Sequence, residues 1–132
     1  MHDILIPVSP GELLDKITIL RIKNTRMSDA AKLANVRREL AMLEDVVSEK
    51  LPTSAELDTL VASLQAINEA LWDIEDDIRI CERDGNFGPK FIELARAVYV
   101  TNDKRAAVKK DINLFLGSAL VEEKSYEEHG AG

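Results

Sequence analysis

One long segment constrains what this chain can fold into. From about Ser54 to Arg83, apolar residues recur at alternating spacings of three and four. The repeating positions are Leu57, Leu60, Leu64, Ile67, Leu71, Ile74, Ile78 and Cys81. This spacing is typical of a coiled-coil seam, and a helix of that length would be roughly 45 Å long. The segment is therefore expected to be a helix that packs along one face for its whole length.

A second helix is predicted just before it, from about Asp29 to Lys50. Its apolar positions also alternate by three and four, at Leu33, Val36, Leu40, Leu43 and Val47. Only Leu51-Pro52-Thr53-Ser54 separates the two segments, with Pro52 as the breaker and Thr53 or Ser54 as the next N-cap. We therefore predict an all-α fold built on a long antiparallel helical hairpin, about 30–50 and 54–83, with the two helices as neighbours.

The N-terminal helix is predicted to be central. Ser9, Pro10 and Glu12 form a helix start with an N-cap, a first-turn proline and a capping box, which places the helix at about 10–28. Its apolar residues fall on several sides, so it is expected to be buried on several sides, or to present one apolar stripe to another subunit. The preceding apolar run, 4–8, is expected to be a brief strand or an extended arm lying on the helices.

The C-terminal part is predicted to hold one or two further helices. A glycine-rich loop at 84–89 precedes a helix at about 89–100. Thr101-Asn102-Asp103 resembles an N-cap cluster, which would either break this helix or start another at about 102–117. We predict a single helical domain over 1–121 and a mobile tail over 122–132.

Composition narrows the classes of partner and location. The formal net charge is −7, which disfavours nucleic acid as a partner. No apolar run approaches the roughly 20 residues that span a bilayer, so no membrane insertion is expected. The single cysteine and the absence of a secretory signal pattern favour a cytoplasmic protein. The two histidines, His2 and His129, lie near opposite ends and there is one cysteine, so no structural zinc site is expected, whereas Mg²⁺ bound by carboxylates stays open.

Polar residues beside the apolar stripes are the candidates for ligand binding. On the first helix, Glu12 and Lys16 project to one side, as an ordinary i,i+4 ion pair or as part of a site. On the long helix, one flank of the seam carries a polar row that is either a solvated surface or a pocket wall. This row is Asn68, Trp72, Glu75, Arg79 and Glu82.

A third polar group begins at the expected N-cap cluster of the last helix. Asn102, Arg105, Lys109 and Asn113 follow a helical progression. Backbone N–H groups at a helix start, together with Arg105 and Lys109, could hold an anion such as phosphate. Helix capping by itself also explains Asn102. The sequence alone does not say whether the three polar groups converge.

Three segments carry a resemblance to a known family. They are VSPGELLDKITILRIKN (8–24), INEALWDIEDDIRICE (67–82) and FIELARAVYVTNDKRAAVKKDIN (91–113). They resemble an uncharacterised bacterial domain-of-unknown-function family, which is all-α and has no assigned activity. The resemblance implies a loose association with glycosyltransferase and surface-polysaccharide contexts. The polar positions that resemble those of the family are Glu12, Asp15, Lys16, Asn68, Trp72, Glu75, Arg79, Glu82, Asn102, Asp103 and Arg105.

Two functions from different classes follow. The first is a non-enzymatic helical interaction or accessory module that binds a protein partner or itself, as a homodimer, through the first helix and the hairpin, with no cofactor. The alternative is an all-α enzyme for small molecules or phosphate esters, similar to Mg²⁺-dependent nucleotide pyrophosphohydrolases. Glu12-x-x-Asp15, and Asp73 with Asp76, only partly match that family's carboxylate motifs, and its doubled glutamates are absent. Whether the protein is an enzyme stays open at this point.

Overall fold

Within residues 2–118, the fold consists of four α-helices. The computed structural model describes residues 2–118, and the predicted tail at 122–132 lies outside that range. The helices are α1 (Pro10–Arg26), α2 (Ala30–Lys50), α3 (Ala55–Arg83) and α4 (Pro89–Phe115). No strand occurs within the described range, so the all-α prediction is confirmed. None of these helices combines the length and apolar character needed to cross a bilayer.

Side chains cap the first three helices at their N-termini. The Ser9 hydroxyl accepts a hydrogen bond from the backbone N–H of Glu12, as the sequence predicts. Asp29 caps α2 in the same way, and Ser54 caps α3 by accepting from the backbone N–H of Leu57. Each cap satisfies a backbone donor that has no partner inside its own helix, which fixes where the helix begins.

Helix α1 lies at the centre of the molecule and packs against α2, α3 and α4. Its residues Leu14, Ile17 and Leu20 are buried, together with Leu64 of α3 and Ile112 of α4. The prediction of a central first helix is confirmed. Because α1 meets three neighbours, its several apolar stripes are covered by the chain itself.

The predicted contact between α2 and α3 is wrong. The chain reverses direction at the short turn, but no Cα atoms of α2 and α3 come within 8 Å of each other in the described structure. Helix α1 separates them, because its apolar faces supply the partners for both. Helix α2 therefore packs on α1 alone, and only Val36 and Leu40 of α2 are buried.

The antiparallel partner of α3 is α4, and this pair has the most extensive packing in the fold. Helix α4 runs without a break through Thr101-Asn102-Asp103, so the expectation that this cluster breaks or starts a helix is wrong. Packing along α3 outweighs the weak local preference of these three residues for a cap. Up to residue 118, α4 is consequently the single helix that follows α3, and Asn102 lies in its interior.

The apolar run before α1 forms no strand and does not lie on the helices. Ile4, Leu5 and Ile6 keep 83%, 92% and 69% of their surface exposed. The prediction of a packed arm or brief strand is therefore wrong. Below, the exposed segment 4–8 is called the N-terminal arm.

Candidate functional site

A buried carboxylate joins the three helices α1, α3 and α4. Asp15 of α1 is 1% exposed. Its Oδ1 accepts hydrogen bonds from Nδ2 of Asn68 and Nε of Arg105, each at 2.9 Å, and its Oδ2 accepts a further bond from Nη2 of Arg105. Nδ2 of Asn68 also donates to the Thr18 hydroxyl at 2.9 Å. This cluster fixes the position of two predicted site residues, Asn68 and Arg105.

Opposing effects act on the acidity of Asp15. Burial on its own raises the pKa of a carboxyl group because the charged form loses hydration. Hydrogen bonds from Arg105 and Asn68, with the positive charges of Arg105 and Lys109, outweigh burial and hold the pKa of Asp15 below its ordinary value. Asp15 is therefore a carboxylate at neutral pH, and it forms a bidentate ion pair with Arg105.

The polar stripe of α4 binds α1 rather than an anion. Besides the Arg105–Asp15 pair, Nζ of Lys109 donates to Oε2 of Glu12 at 2.7 Å. The side-chain carbonyl of Asn113 accepts from the backbone N–H of Gly11 at 2.8 Å. The expected helix N-terminus at residues 101–103 does not exist, so it cannot supply free backbone donors. Carboxylates of α1 take the place that we predicted for an external anion.

The two candidate residues of the first helix do not pair with each other. Glu12 does not complete a capping box through its side chain, because Lys109 holds its carboxylate. Lys16 lies on the other flank of α1, with its ammonium group 3.7 Å from the carboxylate of Glu39 in α2. The expected Glu12–Lys16 pair is therefore wrong, and neither residue reaches the cleft described next.

Six of the nine predicted binding residues line one cleft of about 540 Å³ between α1, α3 and α4. They are Asn68, Trp72, Glu75, Arg79, Asn102 and Arg105. Ile19, Leu71 and Asp76 complete the lining, and we call this the polar cleft. The polar row of α3 and the start of the α4 stripe therefore do converge, although they were found in separate parts of the sequence.

Several side chains of the polar cleft retain hydrogen-bonding capacity. Within residues 2–118, the Trp72 indole and the Asn102 amide have no hydrogen-bond partner, although both are half-buried. Glu75 and Arg79 form an i,i+4 pair at 3.4 Å. The cleft thus presents an aromatic ring, one uncommitted amide and an ion pair to whatever occupies it.

The ninth candidate, Glu82, lies further along the same pair of helices. It lines a groove of about 440 Å³ with Ile78 of α3 and with Phe91, Ala95 and Val98 of α4. Glu75 and Arg79 line this groove as well as the polar cleft. The two depressions therefore adjoin, and we call the second one the apolar groove.

A further cleft of about 540 Å³ lies where α2 and α3 diverge. Its walls include Leu14 and Val61, and two of its charged residues, Arg21 and Glu44, lie 3.4 Å apart and pair with each other. Ser48, Thr53 and Asp58 also line it, but it contains none of the nine predicted binding residues, whereas six of them converge in the polar cleft. We therefore take the polar cleft as the candidate site.

Carboxylates are numerous, but those in the described part of the chain are not grouped as metal ligands. Among residues 2–118, no three His, Cys, Asp or Glu side chains are close enough together to share a metal ion. Glu12 and Asp15, the partial pyrophosphohydrolase motif, each bind a cation of α4 instead.

Sequence reasoning missed the buried part of the site. Thr18 is not among the predicted candidates, and Asp15 is noted only through the two resemblances, to the uncharacterised family and to the pyrophosphohydrolases. The sequence does carry a signal for both residues: Asp15 and Thr18 are polar, yet they lie among the apolar positions of α1 that the fold buries. Gly11 was missed as well, although a Cβ there would lie 2.5 Å from the backbone oxygen of Lys109.

Comparison with known proteins identifies the family. A family model for DUF6165, a family of unknown function, matches residues 4–130, so the chain belongs to that family. This confirms the resemblance to an uncharacterised family. Searches of curated proteins and of solved structures return no significant match.

Proposed function

We propose that this member of the DUF6165 family is a helical binding module that takes a small hydroxyl- or amine-bearing organic molecule in the polar cleft. The observation that carries the proposal is the convergence of Trp72 and Asn102 beside the buried amide of Asn68. Small-molecule sites are typically concave, with an apolar or aromatic wall and a few fixed polar groups. A volume of about 540 Å³ lies within the range of such sites.

The hydrogen-bonding groups favour a ligand that both donates and accepts. The Asn102 amide offers both kinds of group, and the Trp72 indole N–H is a donor. The indole ring adds a flat apolar surface on which a ring or a carbon chain can lie. A hydroxylated ring or an amino alcohol satisfies all of these groups at once.

The charges favour a neutral or cationic ligand over a phosphate ester. Both carboxylate oxygens of Asp15 hold Arg105, and Glu75 pairs with Arg79. Asp76 also lines the cleft and has no ion-pair partner within the described residues. The remaining local charge is therefore negative, and an anionic ligand would have to compete with Asp15 for Arg105.

The same contacts weigh against Mg²⁺-dependent hydrolysis of nucleotides. Glu12 and Asp15 would have to release Lys109 and Arg105 before they could bind a metal ion. The loose association with surface polysaccharides rests on the family resemblance alone. It agrees with a hydroxylated ligand but does not identify one.

A thermal-shift screen tests the proposal. Free sugars, polyols, amino alcohols, nucleotides and sugar nucleotides are added to the protein, with and without Mg²⁺. We expect a neutral or amine ligand to raise the Tm, and the shift to be lost in Asn102→Ala and reduced in Glu75→Gln. Glu93→Gln is the matched control, since Glu93 is an exposed carboxylate of α4 outside the cleft. Shifts of equal size in all variants would refute a site in this cleft.

A protein-interaction module is the second candidate, and the N-terminal arm favours it. Three adjacent aliphatic side chains, Ile4, Leu5 and Ile6, are exposed, and contiguous exposed apolar residues commonly mark a contact surface. Self-pairing through α1 is not supported, because the chain itself covers that helix. Light scattering after size exclusion tests the arm: a dimer that Leu5→Ser dissociates would support this candidate. A monomer at every concentration would rule out self-association.

A further inference from the structure

We infer that the ligand is an amphiphile, with its polar head in the polar cleft and its apolar chain in the adjoining apolar groove. This inference rests on the proposed function and specifies the class of molecule. It follows from the way the two depressions join along the α3–α4 pair. Neither depression taken separately would indicate it.

One stripe of α4 lines both depressions. Phe91, Ala95, Val98, Asn102 and Arg105 advance by four, three, four and three residues, so they lie on the same side of the helix. The first three line the apolar groove and the last two line the polar cleft. The stripe therefore changes from apolar to polar once, between Val98 and Asn102.

Helix α3 lines both depressions from the opposite side, with Leu71 among the residues of the polar cleft and Glu82 among those of the apolar groove. Trp72 lines the polar cleft and Ile78 lines the apolar groove, while Glu75 and Arg79 border both. The Glu75–Arg79 ion pair thus lies at the junction. Its charged ends favour contact with the polar part of a ligand, while the methylene stem of Arg79 can cover the start of a chain.

The dimensions suit a small amphiphile. Phe91 and Arg105 are 14 residues apart in α4, or roughly 21 Å along the helix axis. The apolar groove has a volume of about 440 Å³, and Phe91 stacks edge-on against Phe87, with ring centroids 5.3 Å apart. Phe91 therefore supplies apolar surface at the end of the groove farthest from the polar head, and Phe87 packs against it from outside the lining.

A partner helix fits these features less well than a small amphiphile does. An amphipathic helix in a groove needs apolar anchor pockets repeated along the whole contact. Here the apolar stripe of α4 stops at Val98, and the next section contains Asn68, Asn102 and two ion pairs. A molecule with one polar end and one apolar end matches the single change from apolar to polar residues along α4.

The intrinsic fluorescence of Trp72 provides the assay, because Trp72 is the one tryptophan of the chain and lines the polar cleft. The probes are alkyl glucosides and alkyltrimethylammonium ions with methyl, butyl and octyl chains, used below micelle-forming concentrations. Each fully buried methylene favours transfer from water about fourfold. Because the groove is open on one side, we expect octyl probes of at least one head group to bind tenfold or more tightly than methyl probes.

Matched variants locate the chain. Val98→Asn should reduce the advantage of the octyl probe to less than threefold and leave methyl-probe affinity unchanged. Val46→Asn makes the same change on an exposed position of α2 and should have no effect. The chain-length series on the unmodified protein keeps the inference falsifiable even if Val98→Asn fails to fold.

The outcomes separate the inference from the proposed function. If methyl and octyl probes bind equally, the amphiphile inference is overturned and the polar site stands. If octyl probes bind equally well to the protein and to Asn102→Ala, the chain binds without the cleft and the inference is also overturned. If no probe alters Trp72 fluorescence and the thermal-shift screen finds no ligand, the proposed function fails as well.

Discussion

Replacing Asp15 by asparagine should destabilise the fold more than its small change in shape suggests. The introduced amide could keep its oxygen at the Oδ1 position, where Asn68 and Nε of Arg105 donate. Its NH₂ group would then face Nη2 of Arg105, and because both groups are donors, no hydrogen bond could form between them. Breaking a buried ion pair by removing one partner costs about 3–5 kcal/mol. The Arg105 side chain is 29% exposed and can regain part of its hydration, so we expect a loss of about 2–3 kcal/mol.

Equilibrium urea unfolding, followed by far-UV circular dichroism, measures this loss. Asp77→Asn is the matched control, because Asp77 is an exposed carboxylate of α3 and undergoes the same chemical change. The control should lose less than about 0.5 kcal/mol, as is usual for surface substitutions. Equal losses in Asp15→Asn and Asp77→Asn at neutral pH would show that the Asp15 cluster does not hold the helices together.

The pH dependence checks the same reasoning independently. The folded-state pKa of Asp15 is lowered from its ordinary value of 3.8. A group with a depressed folded-state pKa stabilises the fold fully above its unfolded-state pKa, and the contribution is lost as pH falls through the folded-state value. The stability difference between the protein and Asp15→Asn should therefore be constant from neutral pH to about pH 5 and shrink below about pH 4. A difference that grows on acidification would contradict the direction of the pKa shift.

Three further outcomes follow from packing. Gly11→Ala should lower the free energy of unfolding in urea by about 1–3 kcal/mol, because the added Cβ would lie 2.5 Å from the backbone oxygen of Lys109. Unchanged stability would mean that α1 and α4 are farther apart than the structure shows. Leu64→Ala removes a side chain with 0% exposure and should cost about 2–5 kcal/mol by the same measurement. Leu114→Ala, at 64% exposure, should cost under about 0.5 kcal/mol, and similar losses at both leucines would contradict the core assignment. Cys81, at 3% exposure, should react with a thiol reagent only after unfolding, and rapid labelling of the native protein would contradict its burial.

The sequence predicts the helices better than it predicts their neighbours. Apolar spacing and the caps at Ser9 and Ser54 locate α1 and α3 closely, because these signals are local. Which helix packs against the seam of α3 depends on contacts between residues far apart in the sequence. A short turn after α2 favours contact with α2, but burial of the several apolar faces of α1 requires α1 to lie between them.

The sequence also predicts part of the candidate site and misses the rest. The polar row of α3 was identifiable because Asn68 and Trp72 lie beside an apolar seam at helical spacing. The roles of Arg105 and Lys109 were not, because the carboxylates that neutralise them lie about 90 residues away, on α1. In a single sequence, a cationic side chain that pairs with a carboxylate of the same chain cannot be distinguished from one that binds a ligand. Likewise, the capping preference of residues 101–103 gives no hint that packing on α3 carries the helix through them.

The location of the bound ligand tests the central claim most directly. In a two-dimensional ¹H–¹⁵N NMR spectrum, the Trp72 indole N–H and the side-chain amides of Asn68 and Asn102 each give their own signals. A ligand found in the thermal-shift screen, titrated into labelled protein, should shift the Trp72 and Asn102 signals most, with smaller changes along α1. Shifts concentrated instead in the N-terminal arm, or in the cleft between α2 and α3 around Leu14 and Val61, with the Trp72 and Asn102 signals unmoved, would contradict a binding site in the polar cleft.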